Sequence, residues 1–418
     1  MKFASLIALS LLSSCGLFIK KMESSVVDKS VVFENREKLP TYCPIDQKYD
    51  FAMIGTNKSS QESYHRLFGE MKNLDIIDHL MLWSLIQLQL RPDQSSPTAR
   101  LQTLINYKDD VQYFDFFSEK SEDQYPYLFG LEWILKKFNK RQTLDYYAGI
   151  IQSRFKNQLK VSEDLERFLS KNKELIKADK QLALYYFRGT EVLKKEESTP
   201  EIKLSRILAE YKKVRNKQDV IINTTLHPFS TTKGQEGYCN YDFNLYQNSI
   251  FLIDKTLPVS NIFGLSQGRN AFLSSSSQTF KEAKPLFDQP IFKGISKVRS
   301  SAICSIQNNE TKIWTISNES RDPGQHLFHL IKYGLPQAGS VQEVDRLLKH
   351  SRHLFLADPI RLIIESDRSD QDQIQNLLKL NVPIYHAENL GNIWGYVRTD
   401  KESRFIKDER NPGEFFCK

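Results

Sequence analysis

Near residue 218 the hydrophobic pattern changes its period, and no other feature of this 418-residue chain constrains its fold as much. Upstream, from about 60 to 216, apolar residues recur at i, i+3, i+4 and i+7, the spacing that gathers them on one face of a helix. "LDIIDHLMLWSLIQLQL" (74–90) is apolar around most of its circumference and predicts an interior helix ended by Arg91-Pro92. Helical spacing continues through 96–117, where Ser96 can cap and Pro97 fits the first position. It recurs in 127–140, 142–159, 162–176, 180–195 and 200–217. Downstream, the runs at 219–226, 248–254, 261–266, 300–307 and 311–318 read as strands divided by Gly, Pro, Ser and Asn. A helix is expected from Asp322, with Pro323 at its first position, Gln325 where a capping box wants it and Gly334 as its stop. A second covers about 341–355. A near-continuous apolar strand (360–366), a helix (370–381) and strands at 382–388 and 392–399 close the chain. The expectation is an α+β protein: an all-helical domain over 46–217, followed by an α/β domain with a mixed sheet over 218–418.

The amino terminus carries a different signal. Met1-Lys2 precedes the apolar run 3–12. Twelve or so residues make roughly 18 Å of helix against a hydrocarbon core of about 30 Å, so this stretch reads as an export signal and not a span. Leu12-Ser13-Ser14-Cys15 resembles the lipobox of bacterial lipoproteins. That resemblance implies cleavage after residue 14, acylation of Cys15 and a lipid bilayer as partner. Gly16 stands where Asp would signal inner-membrane retention, which implies the outer membrane. Residues 15–45 read as a lipidated tether.

Four cysteines remain after Cys15, and an oxidising compartment favours pairing them. Cys43 follows the tether and Cys417 is penultimate, so Cys43–Cys417 with Cys239–Cys304 is the expected connectivity; the alternative leaves Cys304 a buried free thiol. No Cys-x-x-Cys or Cys/His ligand spacing is present, so neither zinc nor another cofactor is expected. The net charge of +7 is spread among interleaved acids and bases, and no basic stripe points to nucleic acid.

Candidate chemistry is sparse. The strand-helix-strand-strand run 360–399 resembles the closing part of a phospholipase D-type half. That resemblance implies His, Lys and Asp at set spacing, where histidine attacks phosphorus and lysine holds its oxygens. Around Trp394 those positions hold Leu390, Asn392 and Val397; around the echoing Trp314 they hold Glu310, Lys312 and Ser317, so only Lys312 survives. His326 and His329 share one expected helix face, and His350 and His353 share another, with Glu343 the nearest acid. With His386 and Lys312 these are the candidate catalytic residues. Glu365, Asp367, Asp370 and Asp372 cluster at a strand end, where helix-starting acids also gather. Neither a P-loop nor a Gly-x-Ser-x-Gly elbow occurs. These readings favour a membrane-anchored, non-catalytic binding or scaffold module for an envelope protein or glycan. The alternative is an envelope hydrolase, phosphodiesterase-like, with a non-standard site.

Overall fold

Two antiparallel sheets, each apolar on both faces, set the architecture. The computed structural model describes residues 40–418 except 45–46, 121–123, 231–235, 244–258, 280–284, 297–300, 309–310, 321, 358–359, 366–367, 369–374, 377–378, 380–382, 401 and 411–412. In chain order, β1 (Phe51–Gly55) leads to helices α1 (Lys58–Tyr64) and α2 (Ile76–Leu90), then to the hairpin β2 (Arg100–Tyr107) and β3 (Asp110–Phe117). Helices α3 (Pro126–Lys137), α4 (Leu144–Arg154), α5 (Glu163–Lys171) and α6 (Leu204–Val214) follow. Next come β4 (Ile221–Asn223), β5 (His227–Ser230), β6 (Glu236–Cys239), β7 (Val259–Gln267) and β8 (Asn270–Gln278). Then β9 (Ala302–Gln307), β10 (Thr311–Asn318), α7 (Pro323–Lys332) and α8 (Val341–Leu348) precede β11 (His353–Ala357), β12 (Ile360–Ile364) and β13 (Ile384–His386). β14 (Asn392–Thr399), β15 (Ser403–Ile406) and β16 (Glu414–Cys417) end the chain.

The first sheet has the order β16-β1-β7-β8-β2-β3-β4 and the second β15-β14-β10-β9-β6-β5. Alternate residues of their strands enter different cores, because successive side chains point to opposite faces. Ile303, Trp314, Trp394, Tyr396 and Phe405 meet Ile54, Leu104, Ile262 and Leu273 between the sheets. Their neighbours Cys304, Ile313, Ile393, Val397 and Ile406 face outward and pack with Leu327, Leu330, Val341 and Val344 of α7 and α8. The outer face of the first sheet is covered by α2, α3, α4 and α6. The result is four layers, helix-sheet-sheet-helix. Asp322 caps α7 by accepting from the Gln325 N–H at 3.0 Å, and Gly334 follows its end at φ 107°, as the sequence predicts.

The α+β expectation holds, but the all-helical amino-terminal domain does not. β1, β2 and β3 lie within 46–217 and share one sheet with β7, β8 and β16. The segment 96–117, predicted helical, is a hairpin whose turn residues Lys108 and Asp109 have φ of 54° and 67°. That turn suits the strand twist but usually advertises itself with Asn-Gly, which is absent. Lys108 N–H donates to Asn270 Oδ1 at 2.8 Å and Asp109 accepts from Arg398 at 2.7 Å, so tertiary contacts hold it instead. With both faces buried, β2 and β3 lack clean alternation and imitate a helical pattern.

Residues 350–390 belong to a separate compact unit. There β11 pairs antiparallel with β12, and β12 pairs parallel with β13, so the expected mixed sheet is this small one. The helix predicted over 341–355 ends at Leu348 and gives way to strand β11. The predicted helix 370–381 and strand 248–254 lie almost wholly and wholly outside the described residues, respectively.

Cys43 bonds Cys417 and Cys239 bonds Cys304, the second pair facing each other across β6 and β9 with Cα atoms 4.1 Å apart. No helix among the described residues is long and apolar enough to cross a membrane.

A buried imidazole ties stability to pH. His79 of α2 is fully buried with its Nδ1 2.9 Å from the Tyr64 hydroxyl. Burial lowers its pKa from 6.5 to about 4, against the opposing pull of Asp75. The unfolded chain therefore takes up the proton first. This contribution is whole above the unfolded value and is lost as pH falls toward the folded one, by about 3 kcal/mol in all. Denaturant titrations across that interval should show the fall, and the His79→Gln variant should lose that part of it.

Candidate functional site

At one end of the sandwich, β1 ends against the middle of β7 and points toward its start, and the end of β10 meets the start of β14. Gly55, Thr56, Ser260, Asn318, Glu319 and Trp394 from these ends line a recess, joined by Arg91, Asp164 and Gly413. Its free volume is about 10 Å³, room for roughly one water. Glu319 keeps exposed surface although protein crowds it, so the recess opens to solvent.

Ser260 is on the inner side of β7, beside Ile262 of the inter-sheet core. Asn318 Nδ2 donates to its Oγ at 3.0 Å, a bond that joins the two sheets. With that amide donating, the hydroxyl proton is left for another acceptor. Asn261, the next residue, turns the other way; its amide donates to Gln87 Oε1 at 3.0 Å and Ser95 Oγ at 3.2 Å, fixing the strand from behind.

Three consecutive side chains at the end of β10 are each held. Asn318 binds Ser260, Glu319 Oε2 accepts from the Asn392 amide, and Ser320 Oγ lies 2.7 Å from His326 Nε2. Glu319 adopts φ 54°, a left-handed conformation that a non-glycine residue keeps only when its surroundings impose it. Gly391 packs beneath this turn at φ 112°, where a Cβ would come 2.8 Å from both Asn318 O and Ser320 Cβ. Gly391→Ala should therefore cost about 1–3 kcal/mol and disturb Glu319 with it. A lowered denaturation midpoint checks this, whereas Gly149→Ala, where a Cβ meets nothing within 4 Å, serves as the control.

Two charged groups on the lining are shifted by their surroundings. Crowding by protein raises the Glu319 carboxyl to about 7; Asp164 adds to the rise and Arg91 opposes it. Arg91 is buried, which works against its charge, yet Asp93 and Asp164 at 2.9 and 3.2 Å hold it firmly protonated. Three buried polar atoms on the lining have no hydrogen-bond partner among the described residues: Thr56 Oγ1, Asn318 Oδ1 and Trp394 Nε1. Each orphaned group costs on the order of 1–3 kcal/mol unless something fills its bond.

Sequence reasoning singled out other residues. His326 is buried and supports the Glu319 turn through Ser320; His329 is half-buried on the same helix with its ring near Phe328 and Tyr333. His350 and His353 do not share a helix face. His350 follows α8, and His353 is on β11, where burial and His350 lower its pKa to about 4. His353 and His386 both pair with Ile364, on opposite sides of β12, while His386 is exposed. Lys312 lines a different cleft. Glu365 is buried and accepts from the Arg352 and Leu390 N–H groups at 3.0 and 2.9 Å, a structural role. Asp367, Asp370, Asp372, Glu310 and Cys15 lie outside the described residues. Among the described residues no group of three or more His, Cys, Asp or Glu could hold a metal ion. Sequence reasoning did not bring Ser260, Glu319 and Arg91 together on this recess, because their segments are far apart in sequence and none carries a local motif.

No protein-family model matches the chain, and no curated protein matches it. Solved structures do. The chain shares its fold with cephalosporin acylase from Bacillus halodurans at a TM-score of 0.57 and 9% identity, over 93% of this chain and 98% of that one. It aligns equally with the protein designated LmbA2991HD, at 0.60 and 7% identity, over 93% and 100% of the two chains.

This likeness overturns two expectations. The phospholipase D-type resemblance fails: Trp314 and Trp394 echo each other because β10 and β14 are adjacent strands facing the same core, with Ile316 opposite Trp394. Val397, in the position of the motif's acid, is buried in the outer core. The expectation of a non-catalytic scaffold yields to a whole-chain match with an acylase.

Proposed function

We propose that this protein is an acylase-type hydrolase that cleaves an amide bond, with Ser260 as nucleophile and Glu319 as its acid–base partner. The observation that carries the reading is that a hydroxyl, a carboxyl with pKa near 7 and unpartnered polar atoms line one solvent-open recess. An amide offers what those atoms lack. Its carbonyl oxygen can accept from Trp394 Nε1–H and the Thr56 hydroxyl, and its N–H can donate to Asn318 Oδ1. In this scheme Ser260 Oγ attacks the carbonyl carbon and its proton passes to the Glu319 carboxylate. Glu319 returns that proton to the departing nitrogen as the C–N bond breaks. Water then cleaves the ester at Ser260, with Glu319 again taking and giving the proton. Arg91, neutralised by two aspartates, sets the local field and helps keep Glu319 from rising further. The fold shared with an acylase supports the same reaction class.

The ionised carboxylate is the active form, and its folded pKa is raised. Turnover of N-acyl p-nitroanilides should therefore fall as pH drops below about 7 and level off above it. Glu319→Gln should lower the rate by roughly 10²–10⁴ and flatten that limb. A limb that survives the substitution unchanged removes Glu319 from the scheme.

We also propose that Cys15 carries lipid and holds this activity at a bilayer, with an envelope protein or glycan as the source of substrate. The two disulfides support an oxidising compartment. Labelled palmitate should enter the wild-type chain and not Cys15→Ser; equal labelling of both counts against the anchor.

A further inference from the structure

We propose that a second cleft in the same unit, independent of the Ser260 recess, binds a small amphipathic anion: a carboxylate on a single hydrocarbon chain. The cleft has about 470 Å³ of free volume, within the roughly 300–1,000 Å³ usual for small-molecule sites. It lies beside β3, β9 and β10, with α3 on one flank. Phe114, Trp133, Leu226 and Ile306 make one apolar wall; uncharged polar side chains, Gln112 and Ser305 among them, line much of the rest, with Lys137 and Lys312.

The wall is built rather than incidental. Phe114 and Ile306 are almost wholly buried, and Trp133 is braced edge-to-face by Phe114 at 5.2 Å and tilted against Phe116 at 5.7 Å. Trp133 and Leu226 nonetheless keep part of their surface open. Apolar surface of this kind gains about 0.8 kcal/mol for each methylene it removes from water.

Charge decides the other end of the ligand. Among the described residues, neither Lys137 nor Lys312 is ion-paired. Lys140, one turn beyond Lys137, is paired twice, with Asp75 and Asp78 at 2.8 Å. Asp109, whose carboxylate feels Lys312, is already engaged by Arg398 at 2.7 Å. Two ammonium groups with no ion pair among the described residues, on a cleft with one apolar wall, match a hydrocarbon chain that ends in a carboxylate. They do not match a neutral or cationic one.

Tryptophan fluorescence tests this on the full chain. Trp83 and Trp314 are at most 1% exposed, so a fluorescence change reports Trp133 of this cleft or Trp394 of the recess, and its loss in the lysine double variant below assigns it to Trp133. Decanoate, kept below its micelle concentration, should give a saturable change. Decanol, with the same chain and no charge, should bind at least tenfold more weakly. The Lys137→Gln/Lys312→Gln double variant, whose two substitutions touch no ion pair and so should leave the denaturation midpoint in place, should bind decanoate at least tenfold more weakly. Calorimetric titration checks the same constants without relying on the fluorophore. Equal affinity for decanol and decanoate, unchanged affinity in the double variant, or no saturable signal by either method overturns the proposal.

Discussion

Ser260→Ala should lose at least about 10³ in turnover of an N-acyl p-nitroanilide, equivalent to roughly 4 kcal/mol of transition-state stabilisation, while the protein stays folded. The substitution removes one oxygen atom. Structurally it deprives the Asn318 amide of a partner at 3.0 Å, a loss of about 1 kcal/mol in net hydrogen bonding. Catalytically it deletes the atom that attacks, and nothing else on the recess lining replaces it. Thr56 is the other hydroxyl there, and its Oγ1 is assigned to the substrate carbonyl. Ser260→Thr keeps a hydroxyl and should retain measurable activity if the added methyl fits beside Ile262. Equal rates for Ser260→Ala and the wild type would remove the nucleophile from the account, whatever the fold.

Breaking the Cys43–Cys417 bond should have the largest effect on stability. It closes a loop of 374 residues, and loop-closure entropy for that length corresponds to up to roughly 6 kcal/mol. Cys417 is on β16, the edge strand of the seven-stranded sheet, paired opposite Ala52 of β1. Gly413, just before β16, lines the recess. Losing the bond should free the sheet edge and with it one wall of the site, so activity should fall alongside stability. Cys239–Cys304 closes only 65 residues, for roughly 4 kcal/mol on the same reasoning, and it joins strands already paired by hydrogen bonds. Urea titrations of Cys43→Ala/Cys417→Ala and Cys239→Ala/Cys304→Ala should rank in that order. The reverse order, or a Cys43→Ala/Cys417→Ala midpoint equal to wild type, contradicts it.

Where local chemistry governed an element, the sequence made it readable. β10 and β14 match the strands expected at 311–318 and 392–399, and Asp322 and Gly334 bracket α7 as their side chain and backbone dictate. Where burial on both faces governed it, the pattern misled. β2 and β3 read as helix because Leu101 and Ile105 feed one core while Leu104 feeds another, so no simple period of two appears. The site was hardest to see. Ser260, Glu319 and Arg91 come from three separate segments, and only the sandwich brings them to one end. A strained residue such as Glu319 leaves no mark in sequence, because the contacts around its turn come from Gly391 and from Asn392 at the start of β14, 73 residues on. The histidines attracted notice through their spacing, yet the one that reaches the Glu319 turn, His326, does so through Ser320 and stands behind it.

The central claim is that Ser260 carries the acyl group during turnover, and trapping that intermediate tests it most directly. Acid quenching during hydrolysis of an N-acyl p-nitroanilide, followed by peptide mass analysis, should place the acyl mass on Ser260 in the wild type and abolish it in Ser260→Ala. Steady turnover with Ser260 unmodified, or an acyl adduct that persists on another residue of the Ser260→Ala protein, contradicts the account.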